Sequence, residues 1–149
     1  MLRWWVDLQR SFRQLPLMKL IVFDCDSTLS SIEGIDELAR LAGDKAFQEV
    51  EALTHAAMNG EVAIDEVFAK RLAIISPTVK DCETVAQQYI DTIEPTAIST
   101  LEQLRQDGWT AVILSGGFKV IIEPLAKLLQ IEQVEAVPLT FHSDGSYDV

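Results

Sequence analysis

The sequence predicts an α/β fold: a parallel β-sheet interrupted after its first strand by a block of helices. Three observations carry this. Leu20 to Phe23 is a short apolar run ended by Asp24, WTAVIL at 109–114 is a second such run followed at once by SGGF, and the interval 33–91 shows only helical periodicity. Continuous apolar runs of this length suit strands buried on both faces, and strands alternating with helices imply parallel pairing.

The elements follow in order. After a strand at 19–24, Ile35, Leu38, Ala39 and Leu41 recur at helical spacing within 33–42, and Gly43 ends that helix. Asp44 offers a cap for a second helix with Phe47, Val50, Leu53 and Ala57 on one face, stopping near Asn59 and Gly60. A third runs from about Ile64 to Ile75. Ser76 as N-cap, with Pro77 at the first helical position, opens a fourth that turns Cys82, Val85, Ala86 and Tyr89 inward. Thr96 then opens a helix with Ile98, Leu101 and Leu104 inward, closed by Gly108 before the strand at 109–114. A helix from about Phe118 to Gln130 leads to the apolar stretch VEAVPLTF, and the turn signal Asp144-Gly145 predicts a hairpin.

Composition sets the class of partner. With 149 residues, 48% hydrophobic and 23% charged, the chain can form one cored domain and is not disordered. A formal charge of -11 argues against nucleic acid, which requires clustered Lys and Arg, and favours a small-molecule partner. The two cysteines, Cys25 and Cys82, provide neither a disulfide framework nor a CxxC metal site, which points to a reducing compartment, the cytoplasm. No apolar segment reaches the ~20 residues of a membrane span. In residues 1–17, Leu2, Trp5, Leu8, Phe12 and Leu15 fall at near-helical spacing beside Arg3, Arg10 and Arg13. This segment reads as an N-terminal extension from an over-extended start ahead of Met18, in preference to an interfacial or targeting helix. His55 and His142 have no partner at metal-ligand spacing.

The chemistry lies at the ends of the two apolar strands, the edge where parallel sheets bind ligands. One end carries Asp24 and Asp26, the other Ser115, Gly116 and Gly117. A hydroxyl and unhindered backbone N–H groups at a helix start suit an anion such as phosphate. Two carboxylates beside phosphate would repel it, so a divalent cation is implied, and hard oxygen ligands favour Mg2+. One carboxylate can then attack phosphorus while the other handles the proton.

FDCDSTL and the downstream SGGF resemble the first two motifs of the haloacid dehalogenase superfamily, and DSTLSSIEGIDELA resembles its phosphoserine phosphatase branch; the likeness runs from Met18 to Tyr147. The resemblance implies a Rossmann-like parallel sheet as a partial phosphatase core, 18–32 and 92–149, with a small helical cap at 33–91. It implies Mg2+-dependent hydrolysis of O-phosphoserine to serine and phosphate through an aspartyl-phosphate, the last step of serine biosynthesis. Asp24 would be the nucleophile and Asp26 the general acid and base. The Asp24 carboxylate and the Asp26 main-chain carbonyl would hold Mg2+, and Ser115 and Gly116 would bind phosphate. Glu33 would accept from the substrate ammonium, Arg71 would pair with its carboxylate, and Met58 would pack near it.

Duller readings exist for each. The aspartates could cap a loop, SGG could be a turn, Glu33 could favour a helix N-terminus, and Arg71 could form a surface pair. Ile64 stands where the family commonly has an aromatic residue, which leaves open another small phosphate ester or a phosphotransferase. The family's third-motif lysine and fourth-motif Gly-Asp pair are absent, so the expectation is an N-terminal portion with a core incomplete at its C-terminus, inactive and poorly soluble alone. A non-catalytic binding remnant is the remaining alternative, and oligomeric state is not legible in the sequence.

Overall fold

Lys19–Phe23 forms the first strand, β1, of the computed structural model, which describes residues 19–148. The extension at 1–17 lies outside the described residues. Four helices follow: α1 (Gly34–Ala42), α2 (Asp44–Met58), α3 (Ile64–Ile75) and α4 (Val79–Asp91). Then come α5 (Ala97–Gln106), β2 (Trp109–Phe118), α6 (Lys119–Leu128) and β3 (Gln133–Val137). Among the described residues the strands form one parallel sheet in the order β1-β2-β3. Strand, helical insertion, strand, helix, strand is the predicted order.

Register positions the site. Lys19 pairs with Trp109 and Phe23 with Ile113, so the residues after both strands emerge at one edge of the sheet. Pairing of β2 with β3 shifts between Leu114 and Phe118, which loosens the ladder through Ser115, Gly116 and Gly117. A ladder irregularity there frees backbone N–H groups at the strand end for other partners.

Tyr89 and Val85 of α4 and Ile121, Ile122 and Leu125 of α6 are all fully buried where the two helices meet beside the sheet. The helical block has its own contacts, with α1 on α2 and α2 on α3, centred on Leu38, Ala39 and Val50. Phe68 of α3 meets Phe118 at the end of β2, ring centroids 5.6 Å apart, and this contact ties the block to the edge of the sheet where Asp24 and Ser115 emerge. At the other end of the chain, Phe141 bridges Tyr147 across the Asp144-Gly145 turn in antiparallel fashion, the expected hairpin.

Four local expectations need correction. Ser76 does not cap α4. It ends α3 in the left-handed region at φ 44, its N–H bonded to Leu72 O, and the cap is Thr78, whose side chain accepts from Asp81 N while Asp81 accepts from Thr78 N. The reciprocal Thr-Asp pair outcompetes a serine already committed to closing the previous helix. Asp44 is the first residue of α2, not its cap; Gly43, at φ 112, makes the sharp turn between the helices. Ile98 is 49% exposed, because Ala97 and Leu101, four apart, set the buried face of α5. Phe118 ends β2, and α6 begins at Lys119. Among the described residues no helix is long and apolar enough to cross a membrane.

Candidate active site

The loop after β1 is wound tightly around one carbonyl. The N–H groups of Thr28, Leu29 and Ser30 all donate to Cys25 O, at 3.2, 2.9 and 3.1 Å, and Ser27 takes a positive φ of 52. This winding buries Cys25 completely and leaves its neighbours Asp24 and Asp26 on the sheet edge. Burial, with the two aspartate charges adding to it, pushes the Cys25 thiol up to about 12, so it is an inert packing residue. Asp24 is exposed, and its Oδ1 accepts from Cys25 N at 2.7 Å.

Asp26 is half-buried and more constrained. The hydroxyl of Tyr89 donates to its Oδ1. A Cβ on Gly117 would stand 3.0 Å from Oδ2 and 3.1 Å from Oδ1, so the carboxylate has room only because residue 117 is glycine. Burial raises the Asp26 carboxyl above its ordinary range; the bonds from Tyr89 and from the backbone of Gly34 oppose this, and the charges of Glu33 and Asp24 add to it. An upward shift of this kind favours the protonated form and suits a carboxyl to act as an acid.

Glu33 precedes α1 and takes Ser27 Oγ–H at 2.5 Å on its Oε1. Arg71 projects from α3; its Nη1 donates to Thr54 Oγ1 at 3.3 Å, and its Nε is buried with no partner. Among the described residues Arg71 has no carboxylate within ion-pair distance. Ser115 Oγ accepts from Gly117 N at 3.1 Å, and the Cα of Gly116 faces open space.

A cleft of about 230 Å³ collects these groups: Asp24, Asp26, Glu33, Arg71, Ser115 and Gly116 all line it, walled by Phe68 and Phe118. Met58 is not among them. It ends α2, is 79% exposed, and lines a neighbouring hollow of about 190 Å³ that shares only Arg71 with the cleft. A larger depression of about 550 Å³ between α6 and β3 contains none of the motif residues. The side chain of Ile64 lies outside the described residues.

Three carboxylates face one guanidinium in this cleft, an excess of negative charge that a phosphate would worsen. Among the described residues no three His, Cys, Asp or Glu side chains converge to hold a metal unaided. The donor set still fits Mg2+, which is commonly held by one or two carboxylates together with water and substrate phosphate.

Tyr89 and Ser27 complete the site and are not singled out by the sequence; Gly117, expected from the sequence to offer an N–H to an anion, instead donates it to Ser115 Oγ and makes room for Asp26. Tyr89 had a usable signal: it was placed on the inward face of its helix, and a buried tyrosine hydroxyl needs a partner. Ser27 gives no signal beyond membership of the first motif.

Residues 21–147 match the family model of haloacid dehalogenase-like hydrolases. The chain belongs to this family. Among its relatives, the chloroplastic phosphoserine phosphatase of Arabidopsis thaliana is 33% identical over 95% of this chain and 46% of its own length. A phosphoserine phosphatase of Mycobacterium tuberculosis is 43% identical over 78% of this chain and 28% of its own length. The chain thus spans about half or less of these curated relatives. Of solved structures, a phosphoserine phosphohydrolase-like protein from Francisella tularensis superposes with a TM-score of 0.77 at 30% identity, over 89% of this chain and 64% of that one. A phospho-aspartyl intermediate analogue of phosphoserine phosphatase gives 0.74 at 30% identity, over 87% and 60%.

Proposed function

We propose that this chain carries the nucleophile, acid–base and substrate-reading half of a Mg2+-dependent phosphomonoesterase acting on O-phosphoserine, the step that completes serine biosynthesis. The observation that carries the reading is the single cleft in which Asp24, Asp26, Glu33, Arg71, Ser115 and Gly116 meet. The phosphoserine phosphatases among its relatives support the substrate class, and the phospho-aspartyl analogue of a structural neighbour supports an aspartyl intermediate.

In this mechanism a carboxylate oxygen of Asp24 attacks phosphorus, forming an acyl phosphate as the bond to the serine oxygen breaks. Asp26, whose burial favours its protonated form, gives its proton to the departing alkoxide. Water then attacks the same phosphorus, Asp26 takes its proton, and phosphate leaves with Asp24 regenerated. Ser115 and Gly116 hold the phosphoryl oxygens through a hydroxyl and a backbone N–H. Arg71, with donors unspent among the described residues, pairs with the substrate carboxylate, and Glu33 accepts from its ammonium. Mg2+, held by the Asp24 carboxylate and the Asp26 main-chain carbonyl, would offset the charge of phosphate against the aspartates. The Phe68–Phe118 contact lets α1, α2 and α3 act as a cover that excludes water, with α4 belonging to the core because it packs on α6. Two buried free cysteines suit a reducing compartment, and we place the protein in the cytoplasm.

The test is Asp24→Asn. An amide cannot form the acyl phosphate, so phosphate release from O-phosphoserine should vanish while binding survives. Parent and variant are both compared in a version extended with the family's third and fourth motifs; turnover near the parent rate in that variant, or an extended parent inert toward O-phosphoserine with Mg2+, overturns the reading.

A further inference from the structure

We infer that Tyr89 is a positioning residue that holds the Asp26 carboxylate in one orientation, Oδ1 engaged by the tyrosine hydroxyl and Oδ2 left for the leaving group and water; the inference rests on the acid–base reading of Asp26. Tyr89 sits on α4, more than sixty positions from Asp26 in sequence, and is completely buried. A buried tyrosine hydroxyl takes a partner, and this one donates to Asp26 with the Gly34 backbone N–H beside it. Two backbones are shaped around this pair. A Cβ on Gly34 would lie 2.5 Å from the Tyr89 hydroxyl oxygen, and a Cβ on Gly117 would crowd both oxygens of Asp26. Glycine at 34 therefore lets the hydroxyl reach Asp26, and glycine at 117 lets the carboxylate face the cleft.

The arrangement has a functional consequence. A free aspartate side chain samples several rotamers, and a general acid works only from the one within reach of the leaving oxygen. Fixing Oδ1 to a buried hydroxyl removes the competing orientations and holds the carboxylate beside Gly117, a residue of the cleft wall. Because α4 also packs along α6, the helix that follows the phosphate-binding turn, one rigid pair of helices sets both the acid and the anion site.

The experiment is Tyr89→Phe, which keeps the ring and removes the hydroxyl. In kcat/KM, O-phosphoserine, whose alkoxide must be protonated as it leaves, should lose about tenfold or more, a fraction of what general acid catalysis supplies. A 4-nitrophenyl phosphate, whose leaving group needs no proton, should change by less than about threefold. Equal losses on both substrates would mark a structural role and overturn the inference. A second readout does not need turnover: in crystals or by NMR, the Asp26 side chain should hold one orientation in the parent and several in Tyr89→Phe. A single unchanged orientation in the variant overturns the inference whatever the activity of the parent; a parent extended with the family's third and fourth motifs that still hydrolyses nothing fails the functional reading separately. If Tyr89→Phe does not fold, Gly34→Ala displaces the hydroxyl by contact and should give the same substrate split.

Discussion

Ser27 Oγ lies 2.5 Å from Glu33 Oε1, which joins the loop carrying both aspartates to the residue that opens the helical insertion. Ser27 reaches it from a left-handed backbone, φ 52, a conformation that a serine adopts only when its surroundings hold it there. If Glu33 reads the substrate ammonium, Ser27 aims it. Ser27→Ala should raise KM for O-phosphoserine about fivefold, roughly the 1 kcal/mol of one net hydrogen bond. Combined with Glu33→Gln it should cost less than the sum of the two, and strict additivity in that double-mutant cycle would dissolve the link.

Arg71 should separate substrates. Among the described residues its Nε is buried without a partner, and its Nη1 has only the Thr54 hydroxyl. Arg71→Ala should cost O-phosphoserine about 2 kcal/mol or more in kcat/KM, as for a charge pair broken in a partly closed site. An aryl phosphate without a carboxylate should lose far less. Comparable losses would move Arg71 out of the substrate site.

Gly117→Ala should damage the site and the fold together. The new methyl would meet Asp26 at 3.0 and 3.1 Å and the fully buried Ile122 at 3.1 Å from its Cδ1, which has little room to retreat. A loss of about 1–3 kcal/mol of stability is expected from overpacking of this kind, read as a lower urea midpoint. Gly116→Ala, where a Cβ meets nothing within 4 Å, is the control that should retain stability.

Thr78→Ala should cost about 1 kcal/mol of stability by removing the cap of α4, with kcat and KM held. Thr78 accepts from Asp81 N at 3.2 Å, and it does not line the cleft. Ser76→Ala, the residue that sequence alone favours as cap, should leave the urea midpoint nearly unchanged.

Alkali should unfold the protein earlier than its carboxylates would suggest. Burial raises Cys25 from 9.0 to about 12 and Cys82 from 9.0 to about 11. In the unfolded chain both thiols ionise near 9.0, while the native state keeps them protonated, so their stabilisation is whole below pH 9 and drains away above it. Each thiol should contribute a loss of about 1.4 kcal/mol per pH unit within its window. Cys82→Ala should flatten the decline between about pH 9 and 11, and an unchanged slope would show that the thiol is accessible in the native state.

The order of elements was determined by the sequence itself, because period 3.6 in 33–91 and continuous apolar runs at 20–23 and 109–114 are local properties that burial imposes on neighbouring residues. The motifs of the candidate site were legible for the same reason: Asp24 and Asp26 are two residues apart, and Ser115 and Gly116 are adjacent. Local competition between caps was less legible: the sequence favours Ser76, and only the structure shows Ser76 closing α3 and Thr78 capping α4. Only the tertiary structure decided that Tyr89 touches Asp26, that Ser27 holds Glu33, and that Met58 stands outside the cleft. Those relationships depend on how helices far apart in sequence come to rest on a sheet whose register aligns Phe23 with Ile113. Packing of that kind is a property of many side chains at once, and no short stretch of sequence encodes it.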